Sequence, residues 1–254
     1  MAGRPLLADK LNCHKPDKLS RVIVRENPGS FVLIKQHDHA LVAGEFARRW
    51  ASRPQPLEST LYAIAHHDVA WQGPDAQVRW NEETGRPYSF VDYPPERKVE
   101  AYTEGLDWLE TRDLYAACLC SMHYETLLRR FGGSEAEERF VEAEARRQER
   151  LRAGMSGDEL ENLESNLGLL RLCDGLSLFV CLNEPGDDED PPPYPGGFEF
   201  RGERYRTLWE DERALRLDPN PFLEPFGLEI PYQRVGKDRQ ALGDGRQELR
   251  VVTS

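Results

Sequence analysis

The chain has 254 residues, 39% of them hydrophobic, and carries 33 Lys and Arg against 45 Asp and Glu for a formal net charge of −12. That length allows one large domain or one domain with an appendage, and the apolar content excludes wholesale disorder. The acidic balance argues against a nucleic-acid backbone or an anionic membrane as the main partner, and leaves room for a small phosphorylated ligand where a metal ion reverses the local sign. No apolar run nears the roughly 18 residues of a membrane span. Residues 1–19 read as a polar tail without the apolar stretch of a secretory signal, so a cytoplasmic protein is expected. Five cysteines without CxxC spacing read as reduced thiols. Cys118, Cys120, Cys173 and Cys181 lie in apolar stretches, where a free cysteine packs as a small hydrophobe.

Along residues 20–36, two β-branched runs flank Asn27-Pro28-Gly29-Ser30, which predicts a β-hairpin. The period then changes. His39, Val42, Ala43, Phe46, Ala47 and Trp50 share one helical face, closed by Pro54 and Pro56. A second helix starts near Leu57 and ends in His66-His67-Asp68, with Leu57, Leu61, Ile64, Ala65 and Asp68 on one face. Residues 71–108 read as an ordered irregular connection rich in aromatics. Asp113 is a plausible N-cap for a helix running to Phe131-Gly132-Gly133, with Ala116, Leu119, Cys120, His123 and Leu127 on its inner face. Capping boxes Ser134–Glu137 and Ser156–Glu159 open two more helices, the first laced with opposite charges, the second striped by Leu163, Leu167, Leu170, Asp174, Leu178 and Cys181. Residues 184–197 form an acidic, proline-rich connector, and residues 198–254 hold short strands in an appendage packed on the core. The expected fold is mainly α: a helical core over residues 20–183 with an N-terminal β-hairpin and short C-terminal β segments.

Three helices place an ionisable side chain inside an apolar stripe (His39, His123 and Asp174), and a fourth ends in His67-Asp68. A buried carboxylate costs several kcal/mol unless it is paired or coordinates a metal, and those stripes carry no Lys or Arg. Imidazole and carboxylate together suit zinc, iron, manganese, nickel or cobalt better than calcium. Two neutral histidines and two aspartates would balance one divalent cation. The plainer reading is that a lone histidine on an apolar face is a hydrogen-bonded core residue. Asp174 fits that reading least, since Asp is seldom buried without a partner.

The order His39, His67-Asp68, Asp174 resembles the HD-domain superfamily, helical metal-dependent phosphohydrolases with an H…HD…D signature. The segments around His39 (HALVAGEFARRW), His67-Asp68 (AIAHHDVAW) and Asp174 (LCDGLSLF) look like its three ligand-bearing helices. Together with SMHYETLL around His123, they resemble more narrowly a bacterial domain-of-unknown-function family (3891), from about Arg21 to Pro231. The chain departs from many superfamily members in following HD with Val69, Ala70 and Trp71, where those have an apolar residue, Gly and a phosphate-holding Lys. The GYP signature of cyclic-dinucleotide phosphodiesterases is also missing.

What the resemblance implies is a divalent-metal hydrolase acting on a small phosphorylated or related molecule; the acidic charge balance adds the expectation of no nucleic-acid or membrane partner. The metal, one or two ions per chain, would sit on His39, His67, Asp68 and Asp174, with His123 as a further ligand. His66 or His123 would move the proton. Trp71 and Trp80 would shape the pocket, with core packing as the alternative. Arg79 and Arg86 would contact an anion, with surface solvation as the alternative, and His37 would lie beside the substrate or before the helix in solvent. An HD-type di-iron oxygenase and a non-catalytic metal-binding or regulatory module are the alternative functions.

Overall fold

The computed structural model describes residues 22–76, 78–186 and 196–253; the tail expected over 1–19 and most of the 184–197 connector lie outside the described residues. Strands β1 (Val22–Asn27) and β2 (Ser30–Lys35) form the hairpin. The turn falls at Pro28-Gly29, where Gly29 takes φ +86°, a conformation glycine reaches without a Cβ penalty. Helices α1 (Gln36–Arg49) and α2 (Leu57–His66) follow. They approach closely because residue 44 is glycine: a Cβ there would stand 2.8 Å from that of Ala65. Two 3₁₀ turns (Val69–Trp71, Pro74–Ala76) and a two-stranded ladder, β3 (Trp80–Asn81) with β4 (Arg86–Pro87), lead to α3 (Pro95–Glu110).

Helix α3 corrects the irregular 71–108 reading. Pro95 opens it at a position where the missing N–H costs nothing. Ala101, Tyr102, Gly105, Leu106 and Leu109 face the core at helical spacing. Helices α4 (Leu114–Phe131), α5 (Glu135–Arg152) and α6 (Gly157–Leu182) begin at their predicted caps. Asp113 accepts the Ala116 N–H at 2.9 Å, and both capping boxes are reciprocal.

The mainly α expectation is overturned by the sheet. Strands β5 (Phe198–Phe200), β6 (Glu203–Trp209), β7 (Ala214–Asp218), β8 (Phe226–Gly236) and β9 (Ala241–Val252) join the N-terminal hairpin in one seven-stranded sheet, ordered β1-β2-β8-β9-β7-β6-β5. It curls into a half-barrel, so the fold is α/β and neither mainly α nor all-α. The C-terminal strands are not all short: β8 and β9 have 11 and 12 residues. Pairing is antiparallel except between β7 and β9. Ser30 to Leu33 of β2 pair with β8 near residue 235, a contact between chain ends that no local pattern announces.

Helices α1 and α6 pack against the sheet and against each other. Helix α6 passes through the middle of the core, buried on nearly every side from Leu169 to Cys181. Its single predicted stripe was therefore incomplete: a helix covered all round is apolar all round. It is long and apolar enough to cross a membrane, but 78% of its most apolar window is buried within the fold. Buried Asn166 ties it to neighbouring segments, donating to the Gln55 carbonyl and lying 3.0 Å from Thr60 Oγ1 and 2.7 Å from Tyr115 Oη.

Candidate metal centre

Four segments bring His39 (α1), His67 and Asp68 (the end of α2), His123 (α4) and Asp174 (α6) together. All five side chains are buried, the histidines to 2% exposure or less. Helix α2 stops at His66, and Asp68 has left helical geometry, with φ −111° and ψ 25°. The break lets adjacent His67 and Asp68 face the same interior, where a continuous helix would splay them by about 100°.

The distances are short enough for one ion to be shared. His39 Nε2 lies 2.9 Å from Asp68 Oδ2 and 3.9 Å from Asp174 Oδ1; His67 Nε2 lies 3.9 and 3.4 Å from the same two oxygens. Ligands held at 2.0–2.2 Å around one ion stand roughly 3.0–3.5 Å apart. One donor atom each from His39, His67 and Asp174 lies within 4.8 Å of the others, and Asp68 Oδ2 reaches both histidines.

The hydrogen bonds behind these atoms decide where the lone pairs point. His67 Nδ1–H donates to the Ile64 carbonyl at 2.7 Å. A carbonyl can only accept, so the neutral ring carries its proton there and Nε2 is bare. Among the described residues, that Nε2 is buried without a hydrogen-bond partner. His39 Nδ1 meets Ser177 Oγ at 2.7 Å, and Ser177 donates to the Asp174 carbonyl at 2.8 Å, which leaves its oxygen to accept the ring proton. Trp71 Nε1–H donates to Asp68 Oδ1 at 2.9 Å and turns Oδ2 toward the histidines. Such outer partners orient metal ligands and set their tautomers.

The charge balance points the same way. Among the described residues, every ion pair of Asp68 and Asp174 is with a histidine. Burial pulls His67 down, but the carboxylates of Asp68 and Asp174 outweigh it and raise the ring to about 9 without an ion. Asp174, despite burial, is held well below the usual carboxylate range by His67, His123 and His39. Burial lowers His123 to about 4, so it is neutral at pH 7. Its Nε2 faces the other oxygen of Asp174, Oδ2, at 3.7 Å. Asp174 is thus the carboxylate placed between two imidazole sets, while Asp68 has one oxygen committed to Trp71.

The remaining predicted site residues divide. Trp71 is fully buried and holds Asp68. His66 turns to the outer face of α2, stacked on Tyr62 at 4.1 Å, with Nδ1–H donating to the Tyr62 carbonyl. His37 is half-buried 6.0 Å from the His66 ring, and its backbone N–H donates to Asp75. Burial pushes both histidines below their ordinary value. Trp80 packs edge-on against Phe31 under Arg239, in a small cluster on the other side of β2. Arg79 lies just before β3, its carbonyl accepting from Tyr88, and exposed Arg86 pairs with Glu26 at 2.9 Å. The structure does not bring Trp80 or Arg86 to the centre.

Two residues escaped the sequence reading. Ser177 lies one helical turn after Asp174, so it shares that face, a signal the apolar stripe concealed. Asp75 is buried beside His37, and burial, with like charge from Asp68 and Asp38, raises it to about 8. Nothing local in the sequence marks it. The four described cysteines are buried and unpaired; Cys13 lies outside the described residues.

A family model described as "protein of unknown function (DUF3891)" matches residues 22–237. The chain belongs to the family DUF3891. The match spans β1 to the end of β8 and so includes every residue of the centre in this DUF3891 protein. No curated protein and no solved structure matches it.

Proposed function

We propose that this DUF3891 protein is a metal-dependent hydrolase of the HD type, acting on a small phosphorylated or related molecule. The observation that carries the reading is His67 Nε2: buried, without a hydrogen-bond partner among the described residues, and facing carboxylate oxygens of Asp68 and Asp174, so that an ion can take the place of its proton. Acceptors converge there with no fixed cation among them, an arrangement a divalent ion relieves. His39, His67, Asp68 and Asp174 would hold it, with net charge −2 from the carboxylates when both rings are neutral. When bound there, such an ion would supply an activated water and polarise the scissile group.

The chain's own residues do the rest. Ser177, Ile64 and Trp71 fix His39, His67 and Asp68, so the ligands need little rearrangement to bind. His123, neutral at pH 7, is the imidazole beside Asp174 best placed to carry a proton or join the ligand set. His66 stands away from the ligand atoms, which favours His123 for that task. A second reading, the di-iron oxygenase, draws on His123 at the far oxygen of Asp174. It needs ligands beyond the one three-residue cluster found among the described residues.

The test is metal analysis of untagged protein, followed by assays on a panel of phosphomonoesters. About one transition-metal ion per chain, with hydrolysis that a chelator abolishes, is expected. Two irons per chain with oxygen consumption would move the protein to the oxygenase reading. A folded chain that retains no transition metal would leave a non-catalytic module.

A further inference from the structure

We propose that a pocket between the sheet and the C-terminal end of α6 binds a small molecule carrying a phosphate or carboxylate, at a site separate from the metal centre. A cavity of about 610 Å³ lies there, where the sheet passes the C-terminal end of α6. Asp174 and Asn183 are nine residues apart, which puts the cavity about 13 Å along the helix axis from the metal centre. That volume is within the range of small-molecule sites.

Four arginines and three glutamates line the cavity, a basic surplus in a chain of net charge −12. Arg25 of β1 is only 7% exposed. Its Nη1 donates to the Asn183 carbonyl at the end of α6, and its Nη2 donates to Gln247 Oε1 at 3.0 Å. Among the described residues its Nε–H has no hydrogen-bond acceptor, and its ion pair with Glu184 is long, at 3.8 Å. A buried charged donor without an acceptor is costly, and an anionic ligand supplies the missing oxygen.

Arg234 stands in the same row of the sheet. Arg25 pairs with Val32, and Val32 pairs with Arg234, so the three side chains leave one face. Arg213 reaches the rim from the turn before β7. Neither the Arg213 nor the Arg234 side chain has a hydrogen bond or ion pair among the described residues, whereas Arg246 is held by Glu229 at 3.0 Å. Free guanidinium groups around a buried one are the chemistry that grips phosphate and carboxylate oxygens in pairs.

The test is calorimetric titration of the chelator-treated full chain with inorganic phosphate and, separately, with succinate, which tells the two head groups apart. Saturable binding of at least one at a single site is expected. The double variant Arg213→Gln/Arg234→Gln should weaken it by about tenfold or more. Glu184→Gln should tighten it, because it removes the carboxylate that pairs with Arg25. His67→Ala should leave it unchanged, whatever becomes of the metal centre. Failure of both anions to bind the folded chain, binding that survives the double arginine change, or binding lost in His67→Ala would each overturn the proposal. Arg25 itself is spared because it also ties β1 to α6.

Discussion

Two groups of buried carboxylates in this protein are treated in opposite ways. Glu144 and Glu137 are 2% and 4% exposed, and each has a fixed cation. Arg147 holds Glu144 at 3.0 Å while Ser121 donates to it at 2.8 Å; Lys98 holds Glu137 at 2.8 Å within a capping box. Asp68 and Asp174 are also buried, at 7% and 6% exposure, yet among the described residues every ion pair they make is with an imidazole. The first arrangement is complete as a structure. The second becomes complete only when two histidines take up protons or one cation takes their place. Burial of a carboxylate therefore says little by itself; what differs is whether its counter-charge is permanent.

Substitutions at the two groups should separate their roles. Asp174→Asn or His67→Ala should reduce metal retention more than about a hundredfold while helical circular dichroism stays near wild type, since each removes a ligand. Wild-type metal content in both variants, measured by plasma mass spectrometry, would sink the contrast. Arg147→Met should do the reverse. Stability in urea should fall by about 3 kcal/mol because Glu144 loses its buried partner, and metal content should not change.

Smaller changes sharpen the same comparison. Trp71→Phe removes the donor on Asp68 Oδ1 and should weaken metal binding about 10- to 100-fold without removing a ligand. Measured affinity equal to wild type would show that Asp68 needs no anchor. The pH dependence follows from His67, which is raised from 6.5 to about 9 in the metal-free state. Its contribution to metal-free stability is fully present below 6.5 and is lost as pH rises through about 9. Metal must displace that proton, so apparent affinity should fall about tenfold per unit as pH drops from 8 to 6. Calorimetry in two buffers of different ionisation enthalpy should report about one proton released per ion at pH 7. Glu137, lowered to about 2 despite burial by Lys98 and the capping N–H groups, has the opposite sign. Its stabilisation is present above 4.5 and disappears as pH falls through about 2, so thermal melts between pH 5 and 2 should show a loss that metal does not restore.

The predicted helix ends were readable because caps are local chemistry. Asp113, Ser134 and Ser156 each bond an amide three residues on. His39 and Asp174 stood out because a polar side chain on an apolar helical face is expensive wherever that face is buried. The Gly29 turn was readable for a similar local reason: Pro then Gly suits its backbone angles. Helix α3 escaped because prolines and aromatics at its start resemble loop chemistry, while its apolar period only becomes decisive once a core lies against it.

Amino-acid order alone thus determined five of the six helices, where they begin, and which ionisable groups fall on inward faces, since all of these depend on neighbours within one or two turns. Tertiary structure decided the half-barrel, whose β2–β8 pairing joins residues some two hundred positions apart. It also decided the break after His66 that aims Asp68 inward, and the partners Ser177 and Trp71 that set the direction of each lone pair. Those features arise from contacts between distant segments, and the free energy that selects them appears only when the segments meet.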